Sequence, residues 1–182
     1  MGYDFIGDVH GHADALEALL RKMGYVERKG AWRHASRRAV FVGDLVDRGP
    51  NVPDVLRIVM DMCASGQAMC VPGNHDAKFL RWLDGRNVKL THGLDLSAAQ
   101  MDADHPELKA RARTFLTRLD DHLWLDGGDL VVAHAGIKEH MLGQVSSYIR
   151  EFCLYGDTDG KTDASGLSIR YHWALDYRGK EN

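Results

Sequence analysis

Four short apolar runs constrain the fold of this chain more than any other feature. Residues 3–7 (YDFIG), 39–43 (AVFVG), 67–71 (QAMCV) and 130–133 (LVVA) have the length and composition of buried strands, and the first three meet a glycine or Pro-Gly turn signal. Between them lie segments with apolar residues at helical spacing. Ala15, Leu16, Leu19, Leu20 and Met23 share a face in 13–23, and Val55, Leu56, Val59, Met60 and Cys63 share one in 53–64. Buried strands alternating with amphipathic helices predict an α/β fold with a largely parallel sheet in its first half. Residues 28–38 are expected as a basic loop or hairpin, 76–83 as a helix and 87–90 as a short fourth strand. The stretch 97–119 is charged and amphipathic, most firmly helical over 107–119, and the tail from Gly156 is mostly loop. A length of 182 residues fits one domain over 1–182.

The residues just after each strand are more specific than the strands themselves. Asp8-Val9-His10 comes after the first, Gly43-Asp44-Leu45-Val46-Asp47-Arg48-Gly49 after the second, Gly73-Asn74-His75-Asp76 after the third, and His134-Ala135-Gly136 after the last. Ligands of open α/β sheets bind beyond the carboxyl ends of the strands, and in a parallel sheet those ends share one edge. Taken singly, each cluster has a plain structural reading: Asp8 and Asp44 as helix caps, Asn74 as a left-handed turn residue, His134 as a core histidine. Four such clusters in series, each at a strand end, favour a shared metal site. Its oxygen and imidazole donors suit manganese, iron or zinc rather than a thiolate-bound ion. Gly7, Gly43 and Gly73 precede the ligands and would let the backbone turn tightly beside them.

Such a donor set fits phosphate hydrolysis, in which charge must be neutralised and a water activated near neutral pH. Two divalent metals about 3.5–4 Å apart do both. Asp44 lies between the other clusters in sequence and is the natural bridging carboxylate. Arg48 offers a planar fork to phosphate oxygens. His75 is placed to protonate the leaving oxygen, with Asp47 orienting it.

Composition narrows the partners. The formal charge is −3, from 23 basic and 26 acidic residues, so no global basic excess advertises nonspecific nucleic-acid binding. The basic run Lys109, Arg111, Arg113 and Arg118 is expected as a solvated helix face, with a wall for a nucleic-acid substrate as the alternative. Cys63, Cys70 and Cys153 include no CxxC pair and are expected as reduced thiols of a cytoplasmic protein. The N-terminus has neither a charged region nor an apolar core of a signal peptide, Ile6 breaks a myristoylation pattern, and no apolar run approaches the ~20 residues that span a bilayer.

The motifs DVHG, GDLVDRG, GNHD and HAG resemble those of the calcineurin-like metallophosphoesterases, in their phosphoprotein-phosphatase-like branch. The stretches RWLDGRNVKLTHG, HAGIKEHMLGQ and FCLYGDTDG are similar to two narrower groups, the phosphatase module of bacterial polynucleotide kinase-phosphatase and the bacterial bis(5'-nucleosyl)-tetraphosphatases. The resemblance implies a central β-sandwich flanked by helices, lacking its C-terminal strands here. It implies two divalent ions, manganese first, with iron, zinc, nickel or cobalt as alternatives. Asp8, His10 and Asp44 would hold one ion, and Asp44, Asn74 and His134 the other. Asp47 and His75 would form the acid pair. Arg48, Asn74 and, less directly, Arg170 would contact the substrate phosphate, a solvated loop arginine being the alternative for Arg170. His92 becomes a candidate for lining the substrate pocket. The family pattern continues with a further histidine beyond Tyr177-Arg178-Gly179, which His172 precedes, so the chain is expected to be truncated or one module of a longer polypeptide. The substrate expected is a phosphorylated nucleotide or polynucleotide. A serine/threonine protein phosphatase and a catalytically weak phosphate-binding fragment are the alternatives.

Overall fold

The computed structural model describes residues 2–164 and 169–176. The chain forms two compact units, residues 1–120 and 121–182. In the first unit the order is β1 (Gly2–Ile6), α1 (Ala13–Lys22), β2 (Val26–Arg28), β3 (Ala31–Arg33), β4 (Arg37–Phe41), α2 (Val52–Ala64), β5 (Ala68–Cys70), α3 (Asn74–Leu83), α4 (Leu94–Asp102) and α5 (Pro106–Thr117). β1, β4 and β5 form a parallel sheet with β4 in the middle, as the alternation of apolar runs and helices requires. Ala39, Val40 and Phe41 of that central strand are fully buried. The basic segment after α1 is the antiparallel hairpin β2–β3.

α2 shows how the local sequence sets an element. The Asn51 side chain accepts the Asp54 N–H at 3.1 Å, capping the helix, and Pro53 sits in the first turn where it sacrifices no helical bond. Val52, Val55, Leu56, Val59 and Met62 are fully buried against the core. Burying each such side chain is worth about 1.5–3 kcal/mol relative to exposure. The chain turns sharply at Ser65-Gly66 into β5.

One expectation needs correction here. Residues 87–90 are not a strand. They lie in an irregular loop, Leu90 is half-exposed, and Lys78 Nζ ties the following turn by donating to the Thr91 carbonyl (2.9 Å) and hydroxyl (3.0 Å). Val88 packs against the core, but Leu90 is exposed and no strand pairs with this segment among the described residues, so strand composition does not suffice. The long amphipathic stretch is two helices, α4 and α5, because Pro106 pushes the residue before it out of the helical region; His105 is extended. The basic face of α5 is locally paired with acids: Lys109 with Asp102, Arg111 with Asp61 at 2.8 Å, and Arg113 with Asp84 at 2.6 Å. Arg111 and Arg113 are exposed, Lys109 is half-buried, and Arg118 lies just past the end of α5.

The second unit contains β6 (Leu123–Leu125), β7 (Leu130–Val132) and α6 (Ser147–Tyr155). β7 departs from the expected buried strand. It pairs antiparallel with β6 in a separate two-stranded sheet, and of its residues Val132 alone is buried. α6 has no counterpart among the sequence expectations. Ser146 caps it by accepting the Ile149 N–H at 3.2 Å, and Ile149, Phe152 and Cys153 pack with Ile137 and Met141 in a small core.

Candidate active site

The parallel register sets the site. Ile6 aligns with Phe41, and Phe41 with Cys70, so the three strands end level. Val42 N–H to Ile6 O (2.9 Å) and Val71 N–H to Phe41 O (3.1 Å) carry the ladder one step further. The loops that begin at Gly7, Gly43 and Gly73 therefore leave from one edge, and their side chains meet there. The Asp44 carbonyl accepts the N–H groups of both Val9 (3.1 Å) and His10 (2.9 Å), which stitches the first loop to the second.

His10 carries the chemistry of this meeting point. Its Nδ1–H donates to the Val46 carbonyl at 2.7 Å, which fixes the tautomer and leaves a lone pair on Nε2. That Nε2 is buried and has no hydrogen-bond partner among the described residues. It faces Asp44 Oδ2 at 3.7 Å and Asp8 Oδ2 at 3.8 Å. A buried lone pair turned toward two carboxylates is repulsive on its own and becomes favourable around a cation. The donor set thus fits a divalent ion. Asp44 is held in turn by the His75 N–H, which donates to its Oδ1 at 3.0 Å. One donor atom each from His10, Asp44 and His75 lies within 4.8 Å of the others.

The nitrogens of His75, unlike Nε2 of His10, both have partners. Nδ1–H donates to Asp47 Oδ2 at 2.6 Å, and Nε2 accepts from Arg48 Nη2 at 3.2 Å. Asp47 is fully buried and its other oxygen, Oδ1, accepts the Ser97 hydroxyl at 2.6 Å. Asn74 is the first residue of α3 and half-buried. Backbone strain concentrates here. Of the seven non-glycine residues with positive φ among those described, four are His10 (45°), Asp44 (52°), Asp47 (72°) and Arg48 (66°). Asparagine, aspartate and glycine tolerate this region, but arginine does not, and such strain costs about 1–3 kcal/mol where the surroundings enforce it.

Close backbone approach explains two of the glycines. A Cβ on Gly73 would lie 2.1 Å from Asp44 Oδ1, and one on Gly43, which also has φ of 91°, would lie 2.4 Å from the Gly73 nitrogen. Gly7 departs from expectation: among the described residues nothing lies within 4 Å of a Cβ placed there. Gly49, not singled out in the sequence, is the tighter case, since its Cβ would sit 2.0 Å from the His10 carbonyl.

Asp76 and Ser97 also escape a reading of the sequence. Asp76, fully buried, accepts the Leu45 N–H through Oδ1 and the Gly73 N–H through Oδ2, both at 2.9 Å, and so clamps the second loop to the third. GNHD places an aspartate at the third position of a helix, a capping signal that could have pointed to it. Ser97 gives no such signal.

In the second unit His134 follows β7 after one residue and is half-buried. The HAG turn is fixed locally: Ala135 N–H donates to the Cys153 carbonyl at 2.7 Å, and Gly136, with φ of 114°, lies so near Trp173 that a Cβ would come within 2.2 Å of the ring. Arg170 and His172 are exposed. The first unit alone brings together Asp8, His10, Asp44, Asp47, Arg48 and His75.

A model of the calcineurin-like phosphoesterase family matches residues 1–163. The chain belongs to that family. Its members named asymmetrical bis(5'-nucleosyl)-tetraphosphatase PrpE include one from Bacillus velezensis, 42% identical over 189 residues, covering 99% of this chain and 74% of that protein. The Bacillus subtilis protein of the same name is 40% identical, covering 99% of this chain and 76% of its own length. A solved structure provisionally described as a diadenosine tetraphosphatase superposes with a TM-score of 0.61 at 25% identity, covering 97% of this chain and 70% of that one. A cold-active protein-tyrosine phosphatase from a psychrophilic Shewanella shares the fold at 20% identity and a TM-score of 0.55, over 76% of this chain and 43% of its own. Membership of the calcineurin-like phosphoesterases makes this chain a hydrolase of phosphate esters or anhydrides that uses divalent metal ions. Among the described residues no helix is long and apolar enough to cross a membrane.

Proposed function

We propose that this phosphoesterase hydrolyses a phosphoanhydride bond in a nucleotide, with a dinucleoside tetraphosphate as the substrate class. The observation that carries the catalytic part of this reading is the buried Nε2 of His10, unpartnered among the described residues and facing the carboxylates of Asp8 and Asp44. The substrate class rests on the relatives named bis(5'-nucleosyl)-tetraphosphatase, which are about 40% identical over nearly the whole chain. Asp8, His10 and Asp44 would hold a first ion, Asp44 and Asn74 would contribute to a second, and the family pattern adds His134. Manganese suits this mix of carboxylate, amide and imidazole donors. When bound, such ions lower the pKa of the attacking water and neutralise charge on the phosphoryl oxygens.

The side chains of the chain supply the rest. Arg48 binds a phosphate oxygen pair with its planar fork. In the free protein that guanidinium donates to His75 Nε2, so drawing it onto the phosphate exposes the imidazole to the leaving oxygen. Once Arg48 has moved to the phosphate, Nε2 takes up a proton from water, Asp47 holds Nδ1–H and stabilises the imidazolium, and Nε2 passes that proton to the leaving oxygen. Arg170 is a further candidate for the phosphate. The three free thiols and a nucleotide substrate suit the cytoplasm.

The test is a comparison of kcat/KM on dinucleoside tetraphosphates, 3'-phosphorylated oligonucleotides and phosphoserine peptides. A highest value on a dinucleoside tetraphosphate supports the reading. A highest value on oligonucleotide ends or on phosphopeptides overturns its substrate part.

A further inference from the structure

The loop that carries Asp47 and Arg48 has no regular structure of its own, and both residues have left-handed backbones. One helix face holds it. Ser97 and Gln100, one turn apart on α4, both reach it, and so does the turn that starts the helix. Ser97 Oγ donates to Asp47 Oδ1 at 2.6 Å and accepts the Asp47 N–H at 2.9 Å. Gln100 Nε2 donates to the Gly49 carbonyl at 3.0 Å, while its Oε1 accepts the Val52 N–H at 2.7 Å. Gly93, with φ of 95°, lies against the Arg48 backbone so closely that a Cβ would come within 2.4 Å of its nitrogen.

A helical serine ordinarily bonds back to the carbonyl four residues earlier. Here that carbonyl, of Gly93, is 3.4 Å away, whereas the Asp47 carboxylate is at 2.6 Å. The shorter, charge-assisted bond takes the single hydroxyl proton. Ser97 is fully buried, as is Asp47, so no water can replace the bond. The carboxylate is thereby held at both oxygens, Oδ1 by Ser97 and Oδ2 by His75.

From this we infer that Ser97 is a positioning residue of the hydrolytic reaction: through Asp47 it fixes the orientation in which His75 presents Nε2 to the leaving oxygen. The inference rests on the reading of His75 as the proton donor. α4 is then the template of the proton-donating pair, and Ser97 couples to leaving-group chemistry, not to substrate or metal affinity.

The experiment compares wild type, Ser97→Ala, Ser97→Thr, His75→Ala and the double variant Ser97→Ala/His75→Ala, all loaded with the same divalent metal. Turnover is measured on an alkyl phosphate and on an activated aryl phosphate, whose leaving group needs no proton. Metal content and circular dichroism are checked for each variant. Ser97→Ala should lower kcat on the alkyl ester about 10–100-fold, in the range seen when an orienting partner is lost, with a smaller loss on the aryl ester and an unchanged KM. Ser97→Thr, which keeps the hydroxyl, should recover most of the loss. In the His75→Ala background Ser97→Ala should cost nothing further, because both act on one proton. In zinc-loaded protein the downfield resonance of the His75 Nδ1–H should shift or broaden in Ser97→Ala. An equal loss on both esters, or a full additional loss in the double variant, overturns the inference. If His75→Ala itself leaves the alkyl ester rate unchanged, the proton-donor reading fails instead, and the two failures are told apart by that single variant.

Discussion

Asp76→Ala isolates the clamp between the second and third loops from the chemistry those loops carry. The carboxylate is fully buried and accepts two backbone N–H groups, of Leu45 and Gly73, each at 2.9 Å. Leu45 is itself fully buried and Gly73 is buried, so water cannot take over either donor. An unsatisfied buried donor costs about 1–3 kcal/mol, which gives about 2–6 kcal/mol for the pair. Removing the buried charge returns part of this, because its desolvation cost disappears. The expected net loss is about 2–4 kcal/mol, a large share of the ~5–15 kcal/mol that stabilises a domain. Asp76→Asn keeps one acceptor oxygen but turns an amide donor toward the second N–H, so it should lose about half as much. The assay is urea unfolding of the metal-free protein, where ligand linkage cannot mask the difference. Tryptophan fluorescence follows unfolding, with Trp32 and Trp82 in the first unit and Trp124 and Trp173 in the second. A midpoint shift that corresponds to less than ~0.5 kcal/mol at unchanged slope would refute the reasoning, because an uncompensated pair of donors cannot be that cheap.

Chelator-treated protein should lose turnover and regain it with added manganese; full activity without metal would end the metal-centre reading. His75→Ala should keep its metal and lose about 10²–10⁴-fold in kcat on an alkyl leaving group, and much less on an activated aryl phosphate. Burial pushes the Cys63 thiol up to about 12 and Cys153 up to about 11. The folded state therefore retains protons that unfolded thiols release near their ordinary value of about 8.5. Their contribution to stability is complete below that value and falls as pH rises through about 9 and 10. The urea midpoint measured from about pH 7 to 10 should decline more in wild type than in Cys63→Ala; parallel curves would contradict the burial argument.

The three parallel strands and their helices are legible in the sequence because each buries an apolar face with a period visible within a dozen residues. The same locality exposes Asp8, His10, Asp44, Asp47, Arg48 and His75, all within a few residues of a strand end. Legibility fails where the partner is remote. Ser97 and Asp47 are 50 positions apart, and no period along either segment encodes their bond. Asp76 stands inside the GNHD motif, yet its two acceptor bonds include one that reaches another loop. At 87–90 the composition is strand-like, but an edge strand needs a neighbour, and the loop receives a lysine side chain instead. α6 is only nine residues long, so its cap, Ser146, and the buried Ile149, Phe152 and Cys153 of its face give a period of little more than two turns.

The left-handed backbones of Asp44, Asp47 and Arg48 set a limit on engineering. A screen for heat resistance would favour glycine or asparagine at Arg48, since either relaxes φ of 66° while tolerating the turn. Each such gain in melting temperature would delete the guanidinium beside His75. Thermostable variants selected without an activity filter should therefore accumulate at this loop and be inert, and a library meant to yield a robust enzyme has to hold residues 44–49 constant and seek its stabilisation elsewhere, as on the exposed faces of α1 and α5.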